Sequence, residues 1–154
     1  MIPEPDTPAV ASARALGLDV TVTRHGRVNS LAEAAEARGV QPRDIVKTMV
    51  VRRGTDDFLL VLVPGDVEIS WPKLRGLLGV SRLSMPDAGT ALAVTGYERG
   101  TITPFGARTP WPVIADTSIA GRTVSIGGGA HGVAMTVDAD AMLAALQATV
   151  ADVV

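Results

Sequence analysis

Between Leu18 and Arg24 the chain alternates, with Val20 and Val22 on one side and Thr21 and Thr23 on the other, a period of two that predicts a strand. The β-branched run Ile45–Arg53 predicts a second strand and the wholly apolar Phe58–Val63 a third. The turn Gly54–Asp57 between them makes this pair an antiparallel hairpin. Shorter runs at Pro112–Asp116, Arg122–Ile126 and Val133–Val137 predict three more strands. Helical signals lie between these runs. Ala9–Leu16 is rich in alanine and stops at Gly17, and Gln41-Pro42 marks a turn. Ser30, with Glu33 three residues on, has the spacing of a capping box and opens a helix to about Arg38 that Gly39 ends. Ser70 caps a helix through Leu78, with Pro72 tolerated in its first turn. A short helix is predicted from Pro86 to about Val94, and Asp138 caps a last one through about Thr149. Thr95–Pro112 is irregular, punctuated by Gly96, Gly100, Pro104 and Gly106.

Strands and helices are interspersed, but the strands cluster as hairpins, which favours an α+β fold with a mainly antiparallel or mixed sheet over a doubly wound one. The 154 residues suit one domain spanning 1–154, with the Pro-rich stretch 1–8 expected to be loose. Hydrophobic residues at 47% against 19% charged mark a folded chain, whose core must come from aliphatic residues because aromatics are scarce.

The absence of cysteine removes disulfides, a cysteine nucleophile and a thiolate zinc site together. No basic-then-apolar leader is visible at the start, and no apolar run approaches the ~20 residues of a membrane span. A cytoplasmic protein without membrane contact is expected. The net charge of −2 argues against a broad grip on a nucleic-acid backbone, and DNA is not an expected partner. It leaves room for a small contact with one end of an RNA. The basic residues are twelve Arg and only two Lys, so a lysine inside an apolar strand stands out.

That lysine is Lys47, on one strand face with Ile45, Met49 and Val51. It either snorkels to water from a strand end or sits in a pocket that binds an anion or carbonyl. The stretch TGYERGTITPFG over 95–106 is either a plain pair of turns or a loop whose glycines bring backbone N–H groups close to a ligand. SIGGGAHG, from Ser125 to Gly132, is either a wide turn or a phosphate-cradling loop, and His131 within it is either a structural residue or part of a pocket. No Walker motif, dinucleotide fingerprint, nucleophile elbow or histidine pair with metal-ligand spacing is present. No metal or cofactor is expected. Any catalysis has to rest on positioning, backbone donors and a lysine.

Three segments follow one another: IVKTMVVR with its apolar partner FLLVLVPGD, then TGYERGTITPFG, then RTVSIGGGAHGVAMTVDADAML. In this order they resemble the YbaK/EbsC family, the superfamily of the prolyl-tRNA synthetase insertion domain and its trans-editing relatives, over about Ser30 to Leu146. LAEAAEARGV resembles that family's early helix. The resemblance implies a compact α+β domain around a curved, barrel-like mixed sheet. It implies hydrolysis of the ester between a wrongly attached amino acid and the terminal adenosine of tRNA, with Ala-tRNA(Pro) or Cys-tRNA(Pro) as substrate. Lys47 matches the family's strand lysine, and Gly100 to Pro104 its G-x-x-x-P loop. On that match Lys47, Gly100 and Thr101 are the catalytic candidates. Ile45, Thr48, Met49, Pro104, Gly128, Gly129 and His131 are the substrate-binding ones. His131 sits where alanine-editing members carry a pocket histidine, and with Ile45 and Met49 is expected to set the size limit. Thr48 departs from the asparagine of some members.

The partner implied is the acceptor end of a mischarged tRNA, held by a weak, local contact through arginines such as Arg99, Arg108 or Arg52, with an aminoacyl-tRNA synthetase as a second candidate. Two other classes stay open on the sequence: a non-catalytic module on the same fold that holds a tRNA end or nucleotide, and an adaptor that docks on a translation complex.

Overall fold

The chain's longest apolar run becomes the middle of the sheet. In a computed structural model that describes residues 7–154, β2 (Ile45–Gly54) and β3 (Asp57–Pro64) form the expected hairpin, with Lys47 opposite Val63 and Val51 opposite Leu59. Every residue of β3 from Phe58 to Pro64 is buried, which is why this segment shows no alternation: both of its faces are covered. On one face Val46, Val50, Leu60 and Leu62 pack with α1 (Pro8–Ala15), α4 (Ala88–Thr95) and α5 (Ala139–Ala145). On the other, Val51, Leu59, Val61 and Val63 pack with Leu74 of α3 (Trp71–Leu78). Burying each such side chain contributes about 1.5–3 kcal/mol before chain entropy is set against it.

The remaining strands are β1 (Thr21–Arg24), β4 (Val113–Asp116), β5 (Thr123–Gly127), β6 (Val133–Asp138) and β7 (Thr149–Ala151), and the helix not yet named is α2 (Leu31–Arg38). The seven strands form one mixed sheet in the order β1-β6-β5-β2-β3-β4-β7. β5 pairs with β2, β4 with β3 and β7 with β4, each parallel; the other neighbours are antiparallel. The domain is thus α+β with a mixed sheet, as expected. The sheet does not close into a barrel, because β1 and β7 are left as edges.

The capping residues act as the sequence indicates. Ser30 accepts from the Glu33 N–H, Glu33 accepts from the Asn29 N–H, and Gly39 ends α2 in the left-handed conformation. Several boundaries differ from expectation. Thr7 and Pro8 already form the cap and first turn of α1, so only residues 1–6 of the expected loose stretch lie outside the described residues. β1 starts at Thr21, not Leu18. The helix expected from Pro86 starts at Ala88, because Asp87 is its cap. The last helix stops at Ala145, Gln147 turns the chain at φ 52°, and Thr149–Ala151 add a strand beside β4. Two β-branched residues, Thr149 and Val150, join that strand, where an open edge offers a ladder.

That C-terminal strand ends on a buried carboxylate. Asp116 accepts from the Val153 N–H at 2.9 Å, from the Ser118 N–H at 3.0 Å and from the Ser118 hydroxyl. Burial by itself would raise its pKa, but these hydrogen bonds, with Lys73 nearby, outweigh burial and hold it below the usual carboxylate value. A depressed folded-state pKa adds stability above the unfolded value of about 3.9, and that stability is lost as pH falls through the folded value. Asp116→Ala is expected to cost about 1–3 kcal/mol in urea unfolding at neutral pH. The gap to wild type should narrow in the acid range, and a gap that is the same at all pH values would sink this account.

Candidate functional site

The sheet has a gap. β2 is paired along its whole length with β3, but its other edge meets β5 only at Ile45 and Val46 and then Ser84 at Arg52. Between these points that edge carries no ladder. The Ile45 carbonyl accepts on the β3 side and the Arg52 N–H donates on the other. By strand alternation the N–H and C=O of Thr48 and Val50 therefore face the open edge.

A cavity of about 580 Å³ fills this opening, a size typical of small-molecule sites. Ile45 to Val50 form one wall, Met85 to Ala88 and Ala91 a second, and Arg99, Gly100 and Ile102 a third. The third wall is brought in by the irregular 95–106 stretch. Tyr97, buried, donates its hydroxyl to the Phe105 carbonyl at 2.6 Å and closes that stretch into a compact turn. Gly100, at φ 90°, is exposed at its tip. Among the described residues nothing accepts a hydrogen bond from the Gly100 N–H. A donor free at a cavity wall can meet a carbonyl oxygen or a developing oxyanion.

Of the residues expected at the site, Ile45, Lys47, Thr48, Met49 and Gly100 line this cavity, as does Arg99. The Lys47 ammonium lies 3.1 Å from a carboxylate oxygen of Glu68, with the two side chains 27% and 85% exposed. The pair sits at the rim, so an incoming acceptor competes with a well-hydrated carboxylate. Thr48 shares the inner face of β2 with Val46 and Val50, and its hydroxyl is buried without a partner. Asp87 is the one carboxylate in the lining. Hydrogen bonds from Thr90 hold it below the usual value, so it stays anionic.

The other expected residues lie elsewhere. Thr101 is buried and turns both its N–H and its hydroxyl to the Glu98 carbonyl, at 2.9 and 2.7 Å, so it shapes the turn that presents Gly100. Pro104 is not in the lining. Gly128 and Gly129 are close-packing positions. A Cβ on Gly128 would come within 2.9 Å of the Val133 carbonyl oxygen, and one on Gly129 within 2.9 Å of Ala9 and 3.0 Å of Tyr97. His131 lines a second, adjoining cavity and meets Glu98 at 3.2 Å. Arg52 bonds the Gly54 carbonyl and Arg108 the Ala93 carbonyl, both outside the lining. Two residues at the junction of the cavities were not expected at the site: Gly127, from the glycine triplet, and Arg38, which carries no mark in the sequence. An arginine in the last turn before a glycine reads as a helix end and nothing more. Among the described residues no cluster of metal-binding side chains is present, and no helix is long and apolar enough to cross a membrane.

Comparison with known proteins gives one consistent answer. The profile of the aminoacyl-tRNA editing domain matches residues 25–145. A proline–tRNA ligase from Thermosipho africanus is 39% identical over 80 residues, which is 52% of this chain but 14% of the ligase, so the chain corresponds to a small part of that enzyme. Among solved structures, the hypothetical protein APE2540 superposes with a TM-score of 0.87 at 26% identity, over 96% of this chain and 99% of its own. A protein proposed to be a trans-editing enzyme for prolyl-tRNA synthetase superposes at 0.85 with 27% identity, over 95% of this chain and 94% of its own.

Proposed function

This chain belongs to the aminoacyl-tRNA editing domain family, and from that premise we propose that it hydrolyses the ester of mischarged tRNA, with Ala-tRNA(Pro) or Cys-tRNA(Pro) as substrate. The observation that carries the reading is the cavity at the open edge of β2, which sets a lysine and an unengaged backbone N–H around one small space. The aminoacyl group enters that space. Val46, Val50, Ala91 and Ile102 form its apolar side, and Asp87 meets the α-ammonium. Gly100 donates its N–H to the carbonyl oxygen. Lys47 leaves Glu68 and donates to the carbonyl or to the terminal nucleotide.

Water attacks the carbonyl carbon, the bond from that carbon to the ribose oxygen breaks, one proton from water ends on that oxygen to make the ribose hydroxyl, and the other leaves the new carboxyl group for solvent. An aminoacyl ester is already activated, so oriented water and two or three donors supply a sufficient rate gain. Selection is by size. A pocket gains only ~1–3 kcal/mol per methylene, so exclusion of larger side chains by the walls at Ile45, Thr48 and Met49 is the more effective device. His131, at the mouth of the second cavity, guards the approach rather than the pocket floor.

The partner is the acceptor end of tRNA, reached by Arg99 at the cavity mouth. A chain of net charge −2 binds that end weakly, which favours action in the cytoplasm beside a synthetase that delivers the substrate. The test is single-turnover deacylation of Ala-tRNA(Pro), Cys-tRNA(Pro) and Pro-tRNA(Pro). Hydrolysis of one mischarged species at least 10-fold faster than of Pro-tRNA(Pro) is expected, since one methylene-sized difference already gives roughly that ratio. Failure to cleave any of the three leaves a tRNA-end binding module as the better reading.

A further inference from the structure

Arg38 has the surroundings of a residue awaiting an anion. It ends α2, and its guanidinium reaches β5, where one Nη donates to the Ser125 hydroxyl at a long 3.4 Å. Its Nε is buried with no acceptor, and the second Nη has neither partner nor burial. Burial lowers its pKa, and among the described residues no carboxylate pairs with it. Arg53 shows the ordinary arrangement, with two hydrogen bonds to the Asp57 carboxylate at 2.9 and 3.1 Å. A buried guanidinium N–H without an acceptor is costly, unless a ligand supplies one.

The space around it points the same way. A second cavity of about 590 Å³ meets the first at Arg38, Gly100 and Gly127. Its charged and titratable lining residues are His25, Arg27, Arg38 and His131, with no carboxylate among them. Glu98, outside the lining, meets His131 at 3.2 Å. Between those side chains Gly26, Gly100, Gly127 and Gly132 also line it, and there the backbone itself forms the wall. In a chain whose net charge is −2, this concentration of basic groups is local.

We propose that the second cavity binds the phosphodiester that joins the esterified nucleoside to the nucleotide before it, with Arg38 gripping its non-bridging oxygens at the junction. The proposal rests on the reading that the aminoacyl group occupies the first cavity. Esterification removes the amino acid's carboxylate, so the only anions at that end of the substrate are phosphodiesters. The nearest of them is attached to the very ribose that carries the ester. Its site must therefore adjoin the ester site, and the shared wall at Arg38 and Gly100 meets that requirement.

The experiment uses Arg38→Gln, which keeps most of the stem, and Arg38→Lys, which keeps the charge. Arg27→Gln serves as an exposed second variant at the same cavity. Each is assayed on the mischarged tRNA that wild type cleaves and on the phosphate-free ester of the same amino acid with adenosine. Arg38→Gln is expected to raise KM on the tRNA by 10-fold or more and to lower the salt dependence by about one ion. Its effect on the phosphate-free ester should be at least 10-fold smaller, with Arg38→Lys in between. Equal losses on both esters, or no loss on either, would overturn the proposal.

Binding of the dinucleotide CpA, followed by NMR titration against adenosine alone, needs no turnover. If wild type cleaves nothing yet binds CpA in an Arg38-dependent way, the phosphate site stands and the hydrolase reading fails. If it cleaves tRNA but binds CpA no better than adenosine, or equally well after Arg38→Gln and Arg27→Gln, the hydrolase reading stands and the phosphate site fails. If it neither cleaves nor binds CpA, both fall.

Discussion

Lys47→Ala is expected to slow single-turnover hydrolysis of the mischarged tRNA by about 100-fold, or about 2.7 kcal/mol of transition-state stabilisation. Lys47 is the only lysine in the cavity lining, and its ammonium is tethered only to Glu68, whose side chain is 85% exposed. A hydrated surface pair of this kind is worth about 0–1 kcal/mol to folding. The variant should therefore melt close to wild type, and its loss of rate cannot be ascribed to unfolding. Lys47→Arg should recover only part of the rate. The guanidinium is larger and fork-shaped, and it cannot place one compact charge where the ammonium sits. Rapid-quench kinetics on the wild type and both variants decides the matter. A loss under 3-fold for the alanine variant would take Lys47 out of the reaction.

The largest effect on folding is expected at Gly106. This residue has φ 70°, and a Cβ there would lie 2.7 Å from the Pro8 carbonyl oxygen and 2.8 Å from the Tyr97 hydroxyl. An alanine pays about 1–2 kcal/mol for the left-handed backbone and about 1–3 kcal/mol for overpacking, so Gly106→Ala should cost about 3 kcal/mol or more in urea unfolding. Relief would require moving the first turn of α1 or breaking the Tyr97–Phe105 hydrogen bond. That bond closes the turn carrying Gly100, so activity should fall along with stability. Gly76 provides the contrast. It lies inside α3, where an added Cβ would meet nothing within 4 Å, and Gly76→Ala should be neutral or stabilising by up to about 1 kcal/mol. Similar stabilities for the two variants would show that the Gly106 turn adapts.

Much of this architecture could be read along the chain because its causes are local. The hairpin β2–β3, the Ser30 and Ser70 caps and the glycine stop at Gly39 depend on neighbours within a few residues. The end of the chain could not be read in this way. Ala139 to Thr149 has the composition of one helix, yet Thr149–Ala151 leave it for the edge of β4, from which β5, β6 and α5 separate them along the chain. Pairing with a distant strand overrides local propensity, and no short window of sequence contains it.

The site divides along the same line. The sequence by itself determined the α+β class and the unusual place of Lys47 in an apolar strand, since both follow from residue type and spacing, and its ordered segments carried the resemblance to the family. Only the tertiary structure decided which motif residues meet. Gly128 and Gly129, in a stretch that read as either a wide turn or a phosphate-cradling loop, are packed against Val133, Ala9 and Tyr97, whereas Arg38 read as a helix end and stands between two cavities. Thr101 belongs to the same motif as Gly100, but its donors turn inward. Spacing records which residues are present. Direction is set by the turn that Tyr97 closes onto Phe105 and by the gap between β2 and β5, and the gap depends on pairing between segments far apart in the chain.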